Sequence, residues 1–90
     1  MASNRFDDTF ISREDRFSLG IEINEGIHYA SFPVSIGVVD YEEYYRLTLD
    51  QYERFMSDHE AALNFVESCR RQEHDDLLIQ KPGWNRGAAI

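Results

Sequence analysis

The apolar residues of this chain repeat with two different periods, one before Thr48 and one after it. In the first half, apolar residues alternate with polar or small ones at Phe17, Leu19, Ile21 and Ile23, which is the pattern of a half-buried β-strand. In the second half, apolar residues recur on one face of an α-helix, at Leu49, Tyr52, Phe55, Met56, Ala62, Leu63, Val66 and Cys69. A sheet with one apolar face and a helix with one apolar stripe bury both by packing together. The pattern therefore predicts an α+β fold.

Turn-forming residues divide the first half of the chain into strands. Gly26 favours a hairpin turn, and Pro33 cannot donate a backbone hydrogen bond to a neighbouring strand. We predict a three-stranded antiparallel meander, with strands at about residues 16–24, 27–32 and 38–47. Residues 1–15 are mostly polar, and we predict that they form a loose N-terminal arm.

One long helix is predicted over residues 49–72. Thr48 and Gln51 fit a capping box, in which each side chain accepts a hydrogen bond from the backbone N–H of the other residue. Ser57-Asp58 followed by Glu60 has the pattern of a second cap, which leaves open a kink or a break near residue 57.

A short apolar run, Leu77-Leu78-Ile79, follows the predicted helix. We predict a last strand at about residues 76–80, parallel to the third strand because a long helix can return along the whole sheet. Residues 81–90 are predicted to form a flexible tail, and residues 16–80 a single domain.

The chain is strongly acidic, with a formal net charge of −8 from 17 acidic and 9 basic residues. The basic residues form no stripe, so neither a nucleic-acid surface nor an anionic membrane surface is indicated. An acidic surface attracts a basic protein partner by long-range electrostatics. Eight of the nine basic residues are Arg, which indicates a GC-rich bacterial genome.

The sequence also favours a cytoplasmic location. Cys69 is the single cysteine, so an internal disulfide bond is not possible. Asp7 and Asp8 lie where a signal peptide has an apolar run, and no stretch approaches the length of a membrane-spanning helix. We therefore predict a bacterial cytoplasmic protein.

Aromatic and acidic residues are predicted on the face of the sheet that points away from the helix. The candidate interaction residues are Tyr29, Asp40, Glu42 and Tyr44, with Trp84 in the tail. Tyrosine is frequent in binding surfaces because it offers a large contact area with few rotatable bonds. The alternative is ordinary cross-strand pairing on a solvated sheet. The six Phe, five Tyr and one Trp in this short chain also favour a homodimer.

A second cluster is predicted between the sheet and the helix. Tyr41, Glu43 and Tyr45 share the face of the third strand that points to the helix, and His59 falls in the helical stripe. Burial disfavours the charged form of a carboxylate, which is how enzymes prepare a general acid. The alternatives are that Glu43 lies beyond the edge of the helix, that a bulge shifts the face of the strand, or that Glu43 forms a structural buried pair with an Arg. These four residues define the hypothesis of a small enzyme or ligand-binding domain.

No metal or cofactor is predicted. His28, His59 and His74 have no metal-ligand spacing, and the glycines form no phosphate-binding motif. Cys69 is interpreted as a small apolar residue, since a position near the C-terminus of a helix disfavours a thiolate.

The size, the acidity and the order of sheet and helix resemble those of small bacterial immunity or inhibitor proteins that neutralise a basic toxin. This resemblance implies inhibition of a basic protein. With the outward-facing tyrosines and acids, it favours a non-catalytic interaction module that acts as a dimer or with a basic partner. The small enzyme or ligand-binding domain is the alternative.

Overall fold

The antiparallel meander has four strands, where the sequence predicts three, and a fifth, two-residue strand pairs with the third strand of the meander. The computed structural model describes residues 5–35, 37 and 40–80, together with the backbone of residues 88–89. The elements follow in the order β1 (Phe6–Ser12), β2 (Phe17–Glu22), β3 (Ile27–Ser35), β4 (Asp40–Leu47), α1 (Leu49–Ser57), α2 (His59–Arg70), a 3-10 turn (Asp75–Leu77) and β5 (Ala88–Ala89). Each strand from β1 to β4 pairs with its neighbour in the chain, which confirms an α+β fold with an antiparallel sheet.

The prediction of a loose N-terminal arm is wrong for Phe6–Ser12, which form β1 and pair with β2. A β-bulge between Asp8 and Phe10 explains why this strand is hard to recognise. The bulge inserts one residue, so that Asp7 and Phe10, three positions apart, oppose residues on one face of β2. The alternation of apolar and polar residues that marks a strand is therefore lost.

β3 continues through Pro33 to Ser35, beyond the predicted end at residue 32. β3 pairs with β2 only as far as Ser31. Pro33 therefore has no β2 residue opposite it, and the N–H that proline lacks is not needed for a hydrogen bond to β2. Within the predicted tail, Ala88–Ala89 pair with the end of β3, opposite Ser35 and Val34. The other residues of that tail, and residues 38–39 of the predicted third strand, lie outside the described residues.

The predicted single helix is two helices, α1 and α2, separated by Asp58. Asp58 has an extended backbone, with φ −134° and ψ 94°, and its side chain accepts a hydrogen bond from the N–H of Ala61 at 3.1 Å. This cap satisfies a free N–H at the start of α2. The break thus lies at the position where the second cap pattern in the sequence allows either a kink or a break.

The break at Asp58 turns the chain back across the sheet. Near the middle of α1, the hydroxyl of Tyr52 lies 2.6 Å from that of Thr9 in β1. At the end of α2, the carbonyl of Cys69 accepts a hydrogen bond from the hydroxyl of Tyr45 in β4 at 3.4 Å. α1 therefore leads from β4 towards β1, and α2 leads back to β4.

The prediction of a parallel last strand at residues 76–80 is wrong. Leu78 forms one antiparallel bridge with Tyr45, and the N–H of Ile79 donates to the carbonyl of Tyr44 at 2.9 Å. The direction differs because α2 crosses the sheet, whereas the prediction assumed one helix that returns along it. The segment before the bridge forms the 3-10 turn.

Both helices pack on one face of the sheet, which we call the inner face; the opposite face, which no described helix covers, is the outer face. The main core is a cluster of buried side chains between the inner face and the helices: Phe17, Leu19, Ala30, Phe32, Val34, Tyr45, Leu47, Phe55, Ala62, Val66, Cys69 and Leu78. Ile23, predicted to continue the apolar side of the first strand, is 55% exposed because β2 ends at Glu22.

The capping box predicted at the start of the helix is confirmed. The Oγ1 of Thr48 accepts from the N–H of Gln51 at 3.1 Å, and the Oε1 of Gln51 accepts from the N–H of Thr48 at 2.8 Å. We expect Thr48→Ala to lower the free energy of unfolding by about 1 kcal/mol, because one N–H of the first turn loses its acceptor. Thr48→Ser keeps the hydroxyl and is the matched control in chemical denaturation. Equal midpoints for the two variants would contradict this contribution.

Candidate interaction surface

The register between β3 and β4 brings the predicted interaction residues of the strands to the outer face. Tyr29 lies opposite Arg46, Tyr44 lies opposite Ser31, and Glu42 and Asp40 follow opposite Pro33 and Ser35. Residues that are two apart on a strand point to the same face. Tyr29, Tyr44, Glu42 and Asp40 therefore share one face, as the sequence predicts. Trp84, the remaining candidate, lies outside the described residues.

Tyr29 is not an exposed binding residue, because its side chain is fully buried with 0% exposure. The ring of Phe6 in β1 lies edge-on to it at 5.5 Å between ring centroids, and the ring of Tyr44 does so at 5.0 Å. Phe6 also stacks on Tyr44 at 3.7 Å. These three rings form a second, smaller core on the outer face. Its cover comes from β1, in the segment for which the sequence predicts a loose arm.

The outer face is curved, as the contact between Phe6 and Tyr44 shows. These residues belong to β1 and β4, and β2 and β3 lie between those strands. Neighbouring strands lie about 4.8 Å apart, so in a flat sheet β1 and β4 would be about 14 Å apart. The sheet must curl towards its outer face for the two rings to stack, and a β-bulge such as that at Asp8 and Phe10 increases this twist.

Gly20 provides the space that Tyr29 occupies. Gly20 pairs with Tyr29 on one side and with Asp8 on the other, and the Tyr29 ring lies across it. A Cβ atom at Gly20 would lie 2.5 Å from the Tyr29 hydroxyl oxygen and 2.7 Å from the ring carbon that carries it. Glycine inside a strand is typical of such a close approach. Gly20 is the one signal in the sequence that could have revealed how Tyr29 is buried.

Asp8 links β1 to this small core. The hydroxyl of Tyr29 donates a hydrogen bond to the Oδ1 of Asp8 at 2.5 Å. Burial, and then the hydrogen bond and the negative charge of Asp8, raise the pKa of Tyr29 far above its ordinary value. Tyr29 therefore remains a neutral donor to Asp8 throughout the physiological pH range.

Three acidic side chains lie on the open part of the outer face, at Asp8, Asp40 and Glu42. Glu42 is exposed as a residue, but partial burial of its carboxyl raises its pKa by desolvation. The negative charge of Asp8 adds to this shift. Glu42 and Asp8 therefore repel each other, and a cation placed between them would relieve that repulsion.

The tyrosines of the outer face predict a loss of stability in alkaline solution. Burial, with smaller contributions from Glu42 and Asp8, raises the pKa of Tyr44 to about 12 from a reference value of 10.0. The folded state holds the Tyr44 proton more tightly than the unfolded state does. The stability that this tyrosine contributes is therefore fully present below pH 10.0 and is lost as the pH rises towards 12. We expect the denaturation midpoint to fall over this range, and to fall less in Tyr44→Phe. An equal fall in both proteins would contradict this assignment.

The alternative cluster is partly assembled on the inner face. The Oε1 of Glu43 accepts a hydrogen bond from the Tyr45 hydroxyl at 2.8 Å, and its Oε2 lies 3.4 Å from the Tyr41 hydroxyl. Glu43 is 5% exposed, so the interpretation that it lies beyond the edge of the helix is wrong. The reason is that the end of α2 reaches β4, where Cys69 packs beside Tyr45.

His59 lies apart from this cluster. It is the first residue of α2, where its Nε2 lies 2.5 Å from the Oδ2 of Asp15, and its ring packs against Phe10 and Phe17. Cys69, next to the Glu43 cluster, is ten residues further along α2, which corresponds to about 15 Å of helix. The four residues of the alternative pocket are therefore not brought to one place.

Nucleophilic and metal chemistry find little support on the inner face. Burial, and then the charges of Asp75, Glu43 and Glu73, raise the pKa of Cys69 to about 12, which keeps the thiol protonated. Among residues 5–35, 37 and 40–80, no three His, Cys, Asp or Glu side chains are placed to hold a metal ion. In the same ranges, no helix is long and apolar enough to cross a membrane.

Comparisons with known proteins find no match to this chain among protein-family models, curated proteins or solved structures. Any proposal about function therefore depends on the geometry of the outer and inner faces.

Proposed function

We propose that this protein is a small, non-catalytic interaction module of the bacterial cytoplasm that binds a basic partner protein through the outer face of its sheet. The observation that carries the proposal is the presence of Asp8, Asp40, Glu42 and Tyr44 on a curved face that no described helix covers.

Electrostatics favour a basic partner. The pKa of Glu42 is raised by desolvation and by Asp8, so that its ionised form is less stable than in water. An Arg or Lys side chain from a partner would offset the repulsion between Glu42 and Asp8 and would donate a charge-assisted hydrogen bond. The net charge of −8 would also steer a basic protein towards the module before contact.

A basic partner suits this surface better than a second copy of the chain. A symmetric dimer through the outer face would bring the same patch of both subunits together. Asp40 and Glu42 of one subunit would then face acidic residues of the other, which is unfavourable. The small enzyme or ligand-binding alternative has less support, because His59 lies beside Asp15, at the other end of α2 from the Glu43 cluster.

The proposal is tested by affinity capture from a lysate of the source cells, followed by measurement of affinity with the purified partner. The outer-face variant combines Asp40→Asn with Glu42→Gln. The matched control combines Asp50→Asn with Glu53→Gln, which removes two charges from the exposed surface of α1. We expect wild type and control to retain a basic protein, and the outer-face variant to bind it about tenfold or more weakly. Equal affinity of the two double variants would contradict the proposal.

A further inference from the structure

The outer edge of β1 is the open edge of the described sheet. The edge of β4 is partly covered, because Leu78 bridges Tyr45 and the N–H of Ile79 donates to Tyr44. The part of β3 that β2 leaves free pairs with Ala88–Ala89. In contrast, no described residue pairs with the side of β1 opposite β2 along Asp7–Ile11. An edge with free N–H and C=O groups is a template for another strand.

Apolar side chains flank this edge on both faces of the sheet. On the outer face, Ile11 is 58% exposed. On the inner side, Met56 of α1 is 44% exposed, and its sulfur lies 4.0 Å from the hydroxyl oxygen of Thr9. An added strand would place alternate side chains against each of these residues. The edge therefore offers apolar contacts as well as backbone hydrogen bonds.

Charge and shape determine which strand fits. Asp7 and Asp8 are exposed on β1, and the whole chain carries a charge of −8. Pairing of β1 with β1 of a second copy would bring two strongly acidic chains together. The bulge at Asp8 and Phe10 also limits the flat part of the edge, which favours a short flexible segment over the rigid edge of a second folded sheet.

We infer that β1 accepts an extended, Lys- or Arg-rich segment of the partner, which adds to the sheet as a further strand. This inference rests on the proposed function and names the mode of contact. Backbone pairing along Asp7–Ile11 would supply affinity, and the acidic side chains of β1 would select basic residues.

The probe for this contact is a synthetic peptide of about ten residues in which Lys and Val alternate, a length typical of a strand. The control peptide has the same charge, but Pro replaces each Val and removes the backbone donors at those positions. We expect the Lys-Val peptide to shift the NMR signals of the Asp7–Ile11 amides and to slow their hydrogen exchange. The Pro peptide should produce neither effect.

Two matched variants test where the peptide binds. Ile11→Lys places a cation on the open edge, whereas Ile23→Lys makes the same change at a residue of similar exposure, 55% against 58%, in the turn after β2. We expect Ile11→Lys to weaken peptide binding about tenfold or more and Ile23→Lys to leave it nearly unchanged. Circular dichroism of both variants should match wild type, because both residues are exposed.

The outcomes separate this inference from the proposed function. Binding of both peptides with equal affinity, with shifts at Asp40 and Glu42 and none along β1, would overturn strand addition and leave the acidic outer face supported. Binding of neither peptide, while the basic partner from the lysate still depends on Asp40 and Glu42, would also overturn it. Loss of partner binding in Ile11→Lys as well as in the outer-face variant is the result that we expect.

Discussion

Gly20→Ala is expected to destabilise the protein by about 3 kcal/mol or more, because the added methyl group has no space on either side. A Cβ atom at this position would lie 2.5 Å from the hydroxyl oxygen of Tyr29, and it would also clash with the backbone carbonyl of Asp7. The Tyr29 ring is buried beneath Phe6 and Tyr44 and cannot move aside without displacing them. Relief of the clash therefore requires β1 to separate from β2.

Gly26→Ala is the control for this prediction. Gly26 has a positive φ of 71°, but a Cβ atom added there would meet no other atom within 4 Å, so its substitution introduces backbone strain without a clash. Alanine in a left-handed conformation costs about 1 kcal/mol. Chemical denaturation of both variants gives the comparison. A loss of stability in Gly20→Ala no larger than that in Gly26→Ala would contradict the close approach of Tyr29.

Phe6→Ala is expected to lower the free energy of unfolding by about 3 kcal/mol, which is the lower end of the range for buried phenylalanines. Phe6 is 8% exposed, although it lies near the N-terminus of the described chain. Its removal leaves a cavity over Tyr29 and Tyr44 and removes the stacking contact at 3.7 Å. Equilibrium denaturation, followed by circular dichroism, measures this loss of stability.

Ile11→Ala is the control on the same strand, since Ile11 is 58% exposed and its truncation should change stability by less than about 0.5 kcal/mol. If Phe6→Ala were as mild as Ile11→Ala, the residues around Phe6 would behave as the loose arm that the sequence predicts. A clear difference between the two variants supports β1 as part of the folded sheet.

The features that depend on local chemistry are well predicted from the sequence. The capping box at Thr48 is visible because its partner, Gln51, is only three residues away. The faces of β4 follow from strict alternation, which puts Glu43 and Tyr45 towards the helices and Glu42 and Tyr44 away from them. These inferences need no knowledge of distant parts of the chain.

The features that depend on distant contacts are not predicted. β1 is missed because the bulge at Asp8 and Phe10 removes the alternation of apolar and polar residues, and the strand is stabilised only by its pairing with β2. The antiparallel bridge at Leu78 follows from the turn that the chain makes at Asp58. The residues around Leu78 carry no local signal for that direction, because the path of α2 determines it.

The candidate surface likewise combines features that the sequence predicts with features that depend on distant contacts. The sequence correctly places Tyr29 on the outer face, but its burial is decided by Phe6, which comes from a strand that the sequence does not reveal. Asp8 is missed as a member of the surface for the same reason. His59 is assigned to the alternative pocket because one long helix would pass over Glu43, whereas the break at Asp58 places it beside Asp15.

The most direct test of the proposed function is an NMR map of the surface that the captured basic partner covers. Isotope-labelled protein is titrated with the unlabelled partner, and changes are recorded for each backbone amide. We predict that the largest changes lie at Asp8, Asp40, Glu42 and Tyr44 and along the open edge of β1. Changes confined to the exposed surfaces of α1 and α2 would contradict the assignment of the outer face as the binding surface.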